Sequence, residues 1–320
     1  MNRDTGDEMK VVEILVPCFN EEENLPKLFQ EFENLITLDN SVHYHLLIVD
    51  NSSTDSSWTI IATYATKSDR VRAMRLSRNF GKENSLSAGL NYSVGDAVVP
   101  IDADLQDPMN VVPLLVEKWR SSKVDVVLAV RNRVQSRSWF REFLSRVYLK
   151  TFAHLSVMPI PPNTGEFRLL SKRFVMAFNR LPESERFVRG LFSWIGFENQ
   201  IVYFDRAERK EGKSRFNIFS LLNLAIEGIT SFSIKPLRLA SVMGLLVSTT
   251  AIAYALYITV QTLINDNPAE GYSSLMVAIL ILSGTQLLAI GLIGEYVGRI
   301  LLESKNRPNF IIRETIGIVE

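Results

Sequence analysis

Two carboxylates at the end of an apolar strand form the densest chemical signal in this chain: Val98-Val99-Pro100-Ile101-Asp102-Ala103-Asp104-Leu105-Gln106-Asp107-Pro108. Acids separated by one residue can aim at a single hard divalent cation, and such a cation can bridge two phosphates. On an isolated surface turn the same spacing carries no meaning; at the edge of an α/β sheet it marks a binding site. A second acidic tip, Ile48-Val49-Asp50-Asn51-Ser52-Ser53-Thr54-Asp55, follows another apolar strand. Capping of the next helix accounts for Ser53, Thr54 and Asp55, but not for Asp50 and Asn51, which can exchange hydrogen bonds with a base or a ribose. Neither GxGxxG nor GxxxxGK[ST] occurs, so dinucleotide and P-loop readings lack their phosphate cradle. His43, His45 and His154 stand without partners at metal-ligand or triad spacing and are read as ordinary surface or packed histidines.

Positioning those acids requires strands that end together. Val11–Phe19, His45–Asp50, Val71–Ser77, Ala97–Asp102 and Val124–Val130 are short β-rich runs. Between them, Glu23–Ile36 and Met109–Arg120 carry apolar residues at helical period, the second behind Pro108 near its first turn. The alternation predicts an α/β fold with a mainly parallel, doubly wound, Rossmann-like sheet. Ligands of such sheets bind beyond the carboxyl ends of the strands, where Asn20, Asp50, Asp102 and Asp104 fall.

After about Lys235 the composition changes. Leu239–Ile264 and Gly271–Gly294 contain no charge and are each long enough to cross a hydrocarbon core of about 30 Å, so two transmembrane helices are expected. Basic residues flank the pair (Lys235, Arg238, Arg299, Lys305, Arg307), whereas the connection Asn265–Glu270 has none, which puts both termini in the cytoplasm. Glu295 stands four residues before Arg299, close enough for an interfacial ion pair. Gly294 and Gly298, preceded by Gly291, would let another helix approach closely and leave homo-oligomerisation open. Asn217–Ser233 is read as an interfacial amphipathic helix; Arg137–Ser156 is equally compatible with lying on anionic lipid and with packing on the sheet. The expected organisation is therefore a catalytic domain over 1–215, an interfacial helix over 216–235, a membrane hairpin over 236–300 and a cytoplasmic tail over 301–320. With 35 basic against 35 acidic residues in 320, the chain has no global affinity for nucleic acid. Its single cysteine, Cys18, excludes a disulfide framework, and its polar first ten residues do not form a signal peptide. An integral protein of the cell's inner or plasma membrane is the expectation.

Six motifs stand in order: Val16-Pro17-Cys18-Phe19-Asn20-Glu21-Glu22, Val49-Asp50-Asn51-Ser52-Ser53-Thr54-Asp55, Asn79-Phe80-Gly81-Lys82, Asp102-Ala103-Asp104-Leu105-Gln106-Asp107-Pro108, Gly165-Glu166-Phe167-Arg168-Leu169 and Arg209-Lys210-Glu211-Gly212-Lys213-Ser214. Together they resemble the family 2 glycosyltransferases of GT-A fold that act on polyprenyl phosphates, and most of all the bactoprenol glucosyltransferases. The chain is also similar to dolichol-phosphate mannose synthase. The resemblance implies a nucleotide-sugar pocket lined by Pro17, Phe19, Glu21, Asp50, Asn51, Gly81, Lys82, Asp102 and Ala103. It implies Mg²⁺ or Mn²⁺ at Asp104, with help from Asp102 and Gln106. In one place the chain departs from the family pattern: Asp50-Asn51-Ser52 stands where Asp-Asp-Gly is usual.

A polyprenyl phosphate is already an anion, so its attack on an anomeric carbon needs no general base; the enzyme must position two like-charged reactants and neutralise the departing diphosphate. Arg131 and Arg133, after the fifth strand, are candidates for gripping the lipid phosphate, with Arg209 and Lys213 next, in a loop resembling the family's acceptor loop. Each is alternatively a surface cation facing anionic lipid. Glu185 is a candidate for sugar hydroxyls and equally for a helix-terminus or ion-pair role. Inverting transfer of glucose from UDP-glucose to polyprenyl phosphate at the bilayer is the expectation. GDP-mannose as donor, or a catalytically silent membrane scaffold, are the alternatives.

Overall fold

The computed structural model describes residues 9–131, 164–183, 186, 188–204 and 271–318, with isolated helical positions between 242 and 264. The chain falls into two compact units, one built from Met1–Ser145, Met158–Phe216 and Arg307–Glu320, the other from Arg146–Val157 and Asn217–Asn306.

In the first unit, Val11–Cys18 (β1), His43–Asp50 (β2), Val71–Leu76 (β3) and Ala97–Pro100 (β4) are near-continuously buried, as strands covered on both faces must be. They pair in parallel in the order β4-β1-β2-β3. Leu25–Leu38 (α1), Ser57–Ala65 (α2) and Lys82–Tyr92 (α3) connect them. α1 carries Pro26 in its first turn and buries Leu25, Leu28, Phe29, Phe32 and Leu35, each stabilising by about 1.5–3 kcal/mol. Its Phe29 stacks on Tyr64 of α2 with centroids 3.7 Å apart. β1 also carries a wholly buried acid, Glu13, which pairs with Arg72 of β3 and accepts from the Val94 amide at 3.1 Å. Full pairing keeps that buried charge tolerable, five residues back from the end of β1.

A 3₁₀ turn, Met109–Val111, leads into Val112–Ser122 (α4), which Lys123 closes in the left-handed region at φ 55°. Val126–Arg131 (β5), Thr164–Ser171 (β6), Lys172–Asn179 (α5), Val188–Trp194 (α6) and Asn199–Phe204 (β7) follow. The Ser171 hydroxyl caps α5 by accepting from the Phe174 amide at 3.1 Å. Ile312–Ile316 (β8) completes the sheet, whose order is β7-β5-β6-β4-β1-β2-β3-β8.

The expected mainly parallel sheet is mixed instead. β6 inserts antiparallel between β4 and β5, and β8 adds antiparallel to β3. Neither shows as an apolar run: β6 carries Glu166 and Arg168, and β8, an edge strand with one face to solvent, carries Arg313 and Glu314. The segment read as a tail, 301–320, thus ends one helix and then supplies an edge strand of the first unit's sheet.

In the second unit, Tyr272–Ser304 (α7) is one helix of 33 residues. Its stretch Ile281–Ser304 is long and apolar enough to cross a membrane, the one such helix among the described residues. Ile281, Leu287, Ile290, Val297 and Ile300 are exposed along it, an arrangement suited to lipid rather than water. Of the other expected span, Leu239–Ile264, isolated helical positions alone are described. The amphipathic segments 137–156 and 217–233 lie outside the described residues.

Candidate active site

The sheet delivers its acids to one edge. β1, β2 and β4 end at Cys18, Asp50 and Pro100, with Cys18 opposite Asp50 and Leu15 opposite Pro100 in register. Two residues beyond β1 and β2 the chain turns through Asn20 at φ 56° and Ser52 at φ 63°, and five residues beyond β4 through Leu105 at φ 54°, all non-glycine residues of positive φ. Asn adopts left-handed backbone readily, but it costs Ser52 and Leu105 about 1–2 kcal/mol each, local strain of the kind that collects at functional edges. The Gly usual in the family at Ser52 is explained by that φ, which Gly adopts freely.

The first two loops interlock. Asn20 and Glu21 amides donate to the hydroxyls of Ser53 and Ser57, both at 2.9 Å, and the Asn20 side-chain oxygen accepts from the Thr54 amide at 2.8 Å. Asp55, one residue before the N-cap Ser56 of α2, accepts from the Ser57 amide at 3.0 Å. Asp50 is wholly buried and takes the Ser53 amide on both carboxylate oxygens, at 3.2 and 3.3 Å. Arg75 of β3 sets its Nε 3.1 Å from Asp50 Oδ2, without the alignment of a hydrogen bond. Burial raises the Asp50 carboxyl above its usual range, partly offset by Ser53 and Arg75. Burial likewise raises Glu21; the Asn24 amide, 2.6 Å away, opposes this while Asp104 and Asp102 reinforce it. Glu21 therefore senses both acids of the Asp102-Ala103-Asp104 motif. Cys18 lies in the same negative field, and burial, then Asp50, Glu21 and Asp55, hold its thiol far above the ordinary range. A thiol so held is no nucleophile.

Asn51 turns to the next loop. Its Nδ2 donates to Asn79 Oδ1 at 2.8 Å and its Oδ1 accepts from the Phe80 amide at 2.9 Å. Asn79 Oδ1 also accepts from the Gly81 amide at 2.9 Å, and Gly81 has φ 90°, which fixes the turn into α3. At the head of that helix Lys82 places Nζ 2.6 Å from Asp102 and 2.7 Å from Glu166. Burial alone would lower the Lys82 ammonium, but Glu166 and Asp102 outweigh it and raise the group well above its usual range. Asp104, beyond it, is exposed and accepts from the Gln106 amide at 3.0 Å and from the Gln106 side chain. Pro17 and Phe19 flank the rim, half-buried and exposed respectively, and Ala103 is buried beneath it.

Among the described residues no group of three His, Cys, Asp or Glu side chains converges to hold a metal by itself. Mg²⁺ is commonly held by one or two carboxylates while substrate phosphates and water complete its shell. The hard oxygen donors of Asp102 and Asp104, with the Gln106 amide adjacent, fit a cation that arrives with a diphosphate.

Arg131 ends β5 by its backbone, opposite Phe204. Arg133, Glu185, Arg209 and Lys213 lie outside the described residues. Three residues join the site that sequence reasoning did not assign to it: Arg75, Glu83 and Glu166. Only Glu166 left a sequence signal, within Gly165-Glu166-Phe167-Arg168-Leu169. Glu83 accepts from the Val188 amide at 3.0 Å, tying α3 to α6.

A model of glycosyl transferase family 2 matches residues 13–178, more than half of the chain. The chain belongs to glycosyl transferase family 2. A second model, the GtrB C-terminal hairpin, matches residues 235–300. The bactoprenol glucosyl transferase of Shigella phage SfII is 41% identical over 307 residues, 95% of this chain and 98% of that one. The uncharacterized glycosyltransferase sll0501 of Synechocystis sp. (strain ATCC 27184 / PCC 6803 / Kazusa) is 40% identical over 305 residues, 95% of each chain. Among solved structures, glucosyl-3-phosphoglycerate synthase of Mycobacterium tuberculosis matches with a TM-score of 0.46 at 22% identity, covering 69% of this chain and 78% of that one. In this family 2 chain the matched model spans all three positive-φ turns of the rim.

Proposed function

We propose that this chain transfers glucose from UDP-glucose to polyprenyl phosphate at the cytoplasmic face of a membrane, with inversion at the sugar. The observation that carries the proposal is the rim of Asp50, Asn51, Lys82, Asp102 and Asp104, on a chain that aligns nearly end to end with bactoprenol glucosyl transferases. Asp50 and Asn51, with Pro17, Phe19, Glu21, Gly81 and Ala103, serve the nucleoside end. Asp102, Asp104 and Gln106 hold Mg²⁺ or Mn²⁺, which supplies charge neutralisation of the departing diphosphate when bound. Lys82 adds a fixed cation at the same place, held by Asp102 and Glu166. Arg131, Arg133, Arg209 and Lys213 serve the lipid phosphate, and Glu185 the sugar. The acceptor oxygen is already anionic, so these cations align it for in-line attack and no side chain removes a proton.

Two spans, Leu239–Ile264 and Gly271–Gly294, anchor the chain in the bilayer, with an interfacial helix before them and both termini cytoplasmic. The GtrB C-terminal hairpin match over residues 235–300 and the bare apolar surface of α7 support that placement.

The test is a donor panel: the purified full-length protein with polyprenyl phosphate, a divalent cation, and radiolabelled UDP-glucose, GDP-mannose or other sugar nucleotides. Lipid-linked glucose with a β-anomeric NMR coupling is expected. Turnover of GDP-mannose alone would move the protein to mannosyl transfer, an α-linked product would refute inversion, and no turnover of any donor would leave a scaffold.

A further inference from the structure

The end of the chain reaches the nucleoside side of the rim. After α7, the strand β8 pairs with β3, with Glu314 opposite Arg75 in register, and the Ile311 carbonyl accepts from the Ser77 amide at 2.8 Å. Glu314 Oε1 stands 3.6 Å from Arg75 Nη1. The same guanidinium donates through Nη2 to the Ser53 carbonyl at 3.0 Å, sets its Nε against Asp50, and lies over the Trp58 ring of α2, 5.6 Å from its centroid. Arg75 is thus the hub of three elements: the loop after β2, α2 and the carboxyl-terminal strand.

We propose that Glu314 is a positioning residue for the nucleotide site, acting through Arg75 on Asp50; the proposal rests on the nucleotide-binding function assigned above to Asp50. The physical ground is the imbalance around Arg75. Asp50 is wholly buried and its side chain fixed by Ser53, whereas the Arg75 side chain is 19% exposed and its Nε faces Asp50 without the alignment of a hydrogen bond. β8 covers that edge, and its carboxylate pulls the far nitrogen of the guanidinium, so that the near one stays against Asp50. An arginine has several rotatable bonds and loses much conformational entropy when held, so a second anchor matters more than its own pair energy suggests. Asn309 in the same segment donates to the Glu183 carbonyl at 3.1 Å, a second tie between the end of the chain and this unit. Because Glu314 acts at the nucleoside end, its loss alters donor binding and leaves the reacting phosphates and lipid acceptor untouched.

The experiment compares full-length wild type with Glu314→Gln, Glu314→Arg and, as a control on the opposite face of β8, Arg313→Gln. UDP affinity is measured by calorimetry, and donor KM, acceptor KM and kcat by transfer. The Glu314 side chain is half exposed, at 46%, so neutralisation weakens UDP binding by roughly 1.5- to 5-fold, the range of exposed ion pairs. The effect shrinks at high salt. Reversal to Arg raises donor KM further, while kcat at saturating donor and acceptor KM stay at wild-type values, and Arg313→Gln changes nothing. Unaltered UDP affinity in Glu314→Arg overturns the proposal. So does a fall in kcat with donor KM unchanged, or an equal effect of Arg313→Gln, since both describe a strand that merely holds the fold. Absence of wild-type UDP binding or turnover would instead strike the assignment of the site itself.

Discussion

Glu83 carries the sharpest pH dependence that the structure implies. It sits in the first turn of α3 against Lys82, Glu166 and Arg189, and its Oε2 accepts the Val188 amide. Burial, then repulsion from Glu166, pushes its carboxyl from 4.5 up to about 7, against the pull of the Val188 N–H, Lys82 and Arg189. The folded protein therefore keeps a proton that the unfolded chain releases between those two values. Stability from this residue is fully present below pH 4.5 and is lost as pH rises through about 7. At about 1.36 kcal/mol per pH unit, the interval from 4.5 to about 7 gives about 3 kcal/mol as a ceiling. Partial exposure and the water it admits bring the expected value to about 2 kcal/mol.

Glu83→Gln keeps an oxygen for the Val188 amide and cannot ionise. The variant and wild type should match near pH 4.5, and at pH 8 the variant should be more stable by about 2 kcal/mol, an apparent Tm higher by roughly 4–8 °C. Thermal unfolding of both full-length proteins in the same detergent across that range provides the measurement. The pH dependence of Asp50 and Glu21, also raised by burial, is common to both and cancels in the difference. An infrared band of a protonated carboxyl, present in wild type at pH 6 and missing in the variant, would assign the proton. A difference that does not change with pH, or a variant less stable at pH 8, would show that attraction to Lys82 and Arg189 outweighs burial and would refute the argument.

Asp104→Ala should abolish metal-dependent donor binding and transfer while shifting the apparent stability by less than about 0.5 kcal/mol, because the side chain is exposed and among the described residues is bonded only to nearby Gln106; calorimetry with UDP plus Mn²⁺, beside a melting curve, checks both halves. Asn51→Asp should destabilise by about 1–3 kcal/mol and weaken UDP binding, since a carboxylate cannot donate to Asn79 Oδ1, and flipping Asn79 would forfeit its bond from the Gly81 amide. Melting and UDP titration of the variant against wild type decide it. Ser52→Gly should raise stability by about 0.5 kcal/mol, the relief of left-handed backbone at φ 63° less the extra freedom of the unfolded chain; a lower melting temperature would show that Ser52 is not strained.

Residues close in sequence announced the site, and residues distant in sequence completed it. Asp102 and Asp104 were legible because a run of buried apolar residues must end somewhere, and acids at that end have no core to join. The expected strands of the parallel core appear as β1 to β5 for the same reason. β6 was hidden because Glu166 and Arg168 interrupt its apolar pattern, and each charge has a partner that no local window contains. Glu166 meets Lys82 at 2.7 Å, and Arg168, wholly shut in by Phe192 and its own turn, has its guanidinium 4.9 Å from the Phe192 centroid. The edge strand β8 was hidden because half of it faces solvent, which makes an edge read as tail.

Asn51 shows why a family pattern does not substitute for geometry. By sequence the residue stands where the family usually carries a second Asp, and its amide was expected still to accept from a base N–H, with altered strength of binding. In the fold both of its polar atoms face the Asn79-Phe80-Gly81 turn, so its nearest consequence is the position of Lys82, one residue further on. An amide has a second N–H and a second lone pair, which leaves it able to bond a ligand while it holds that turn. On the nucleoside role proposed for Asn51 the two duties are coupled, because a change at Asn51 passes to the loop that aims the only ammonium bridging Asp102 and Glu166 among the described residues. A donor that fits should therefore tighten Lys82 against its diphosphate, and one that misfits should lose charge neutralisation along with base recognition. Asn79→Ala separates these effects. It leaves Asn51 free to meet a base, yet it should lower kcat more than it raises the donor KM. A rise in KM alone would mean that the loop merely completes the pocket.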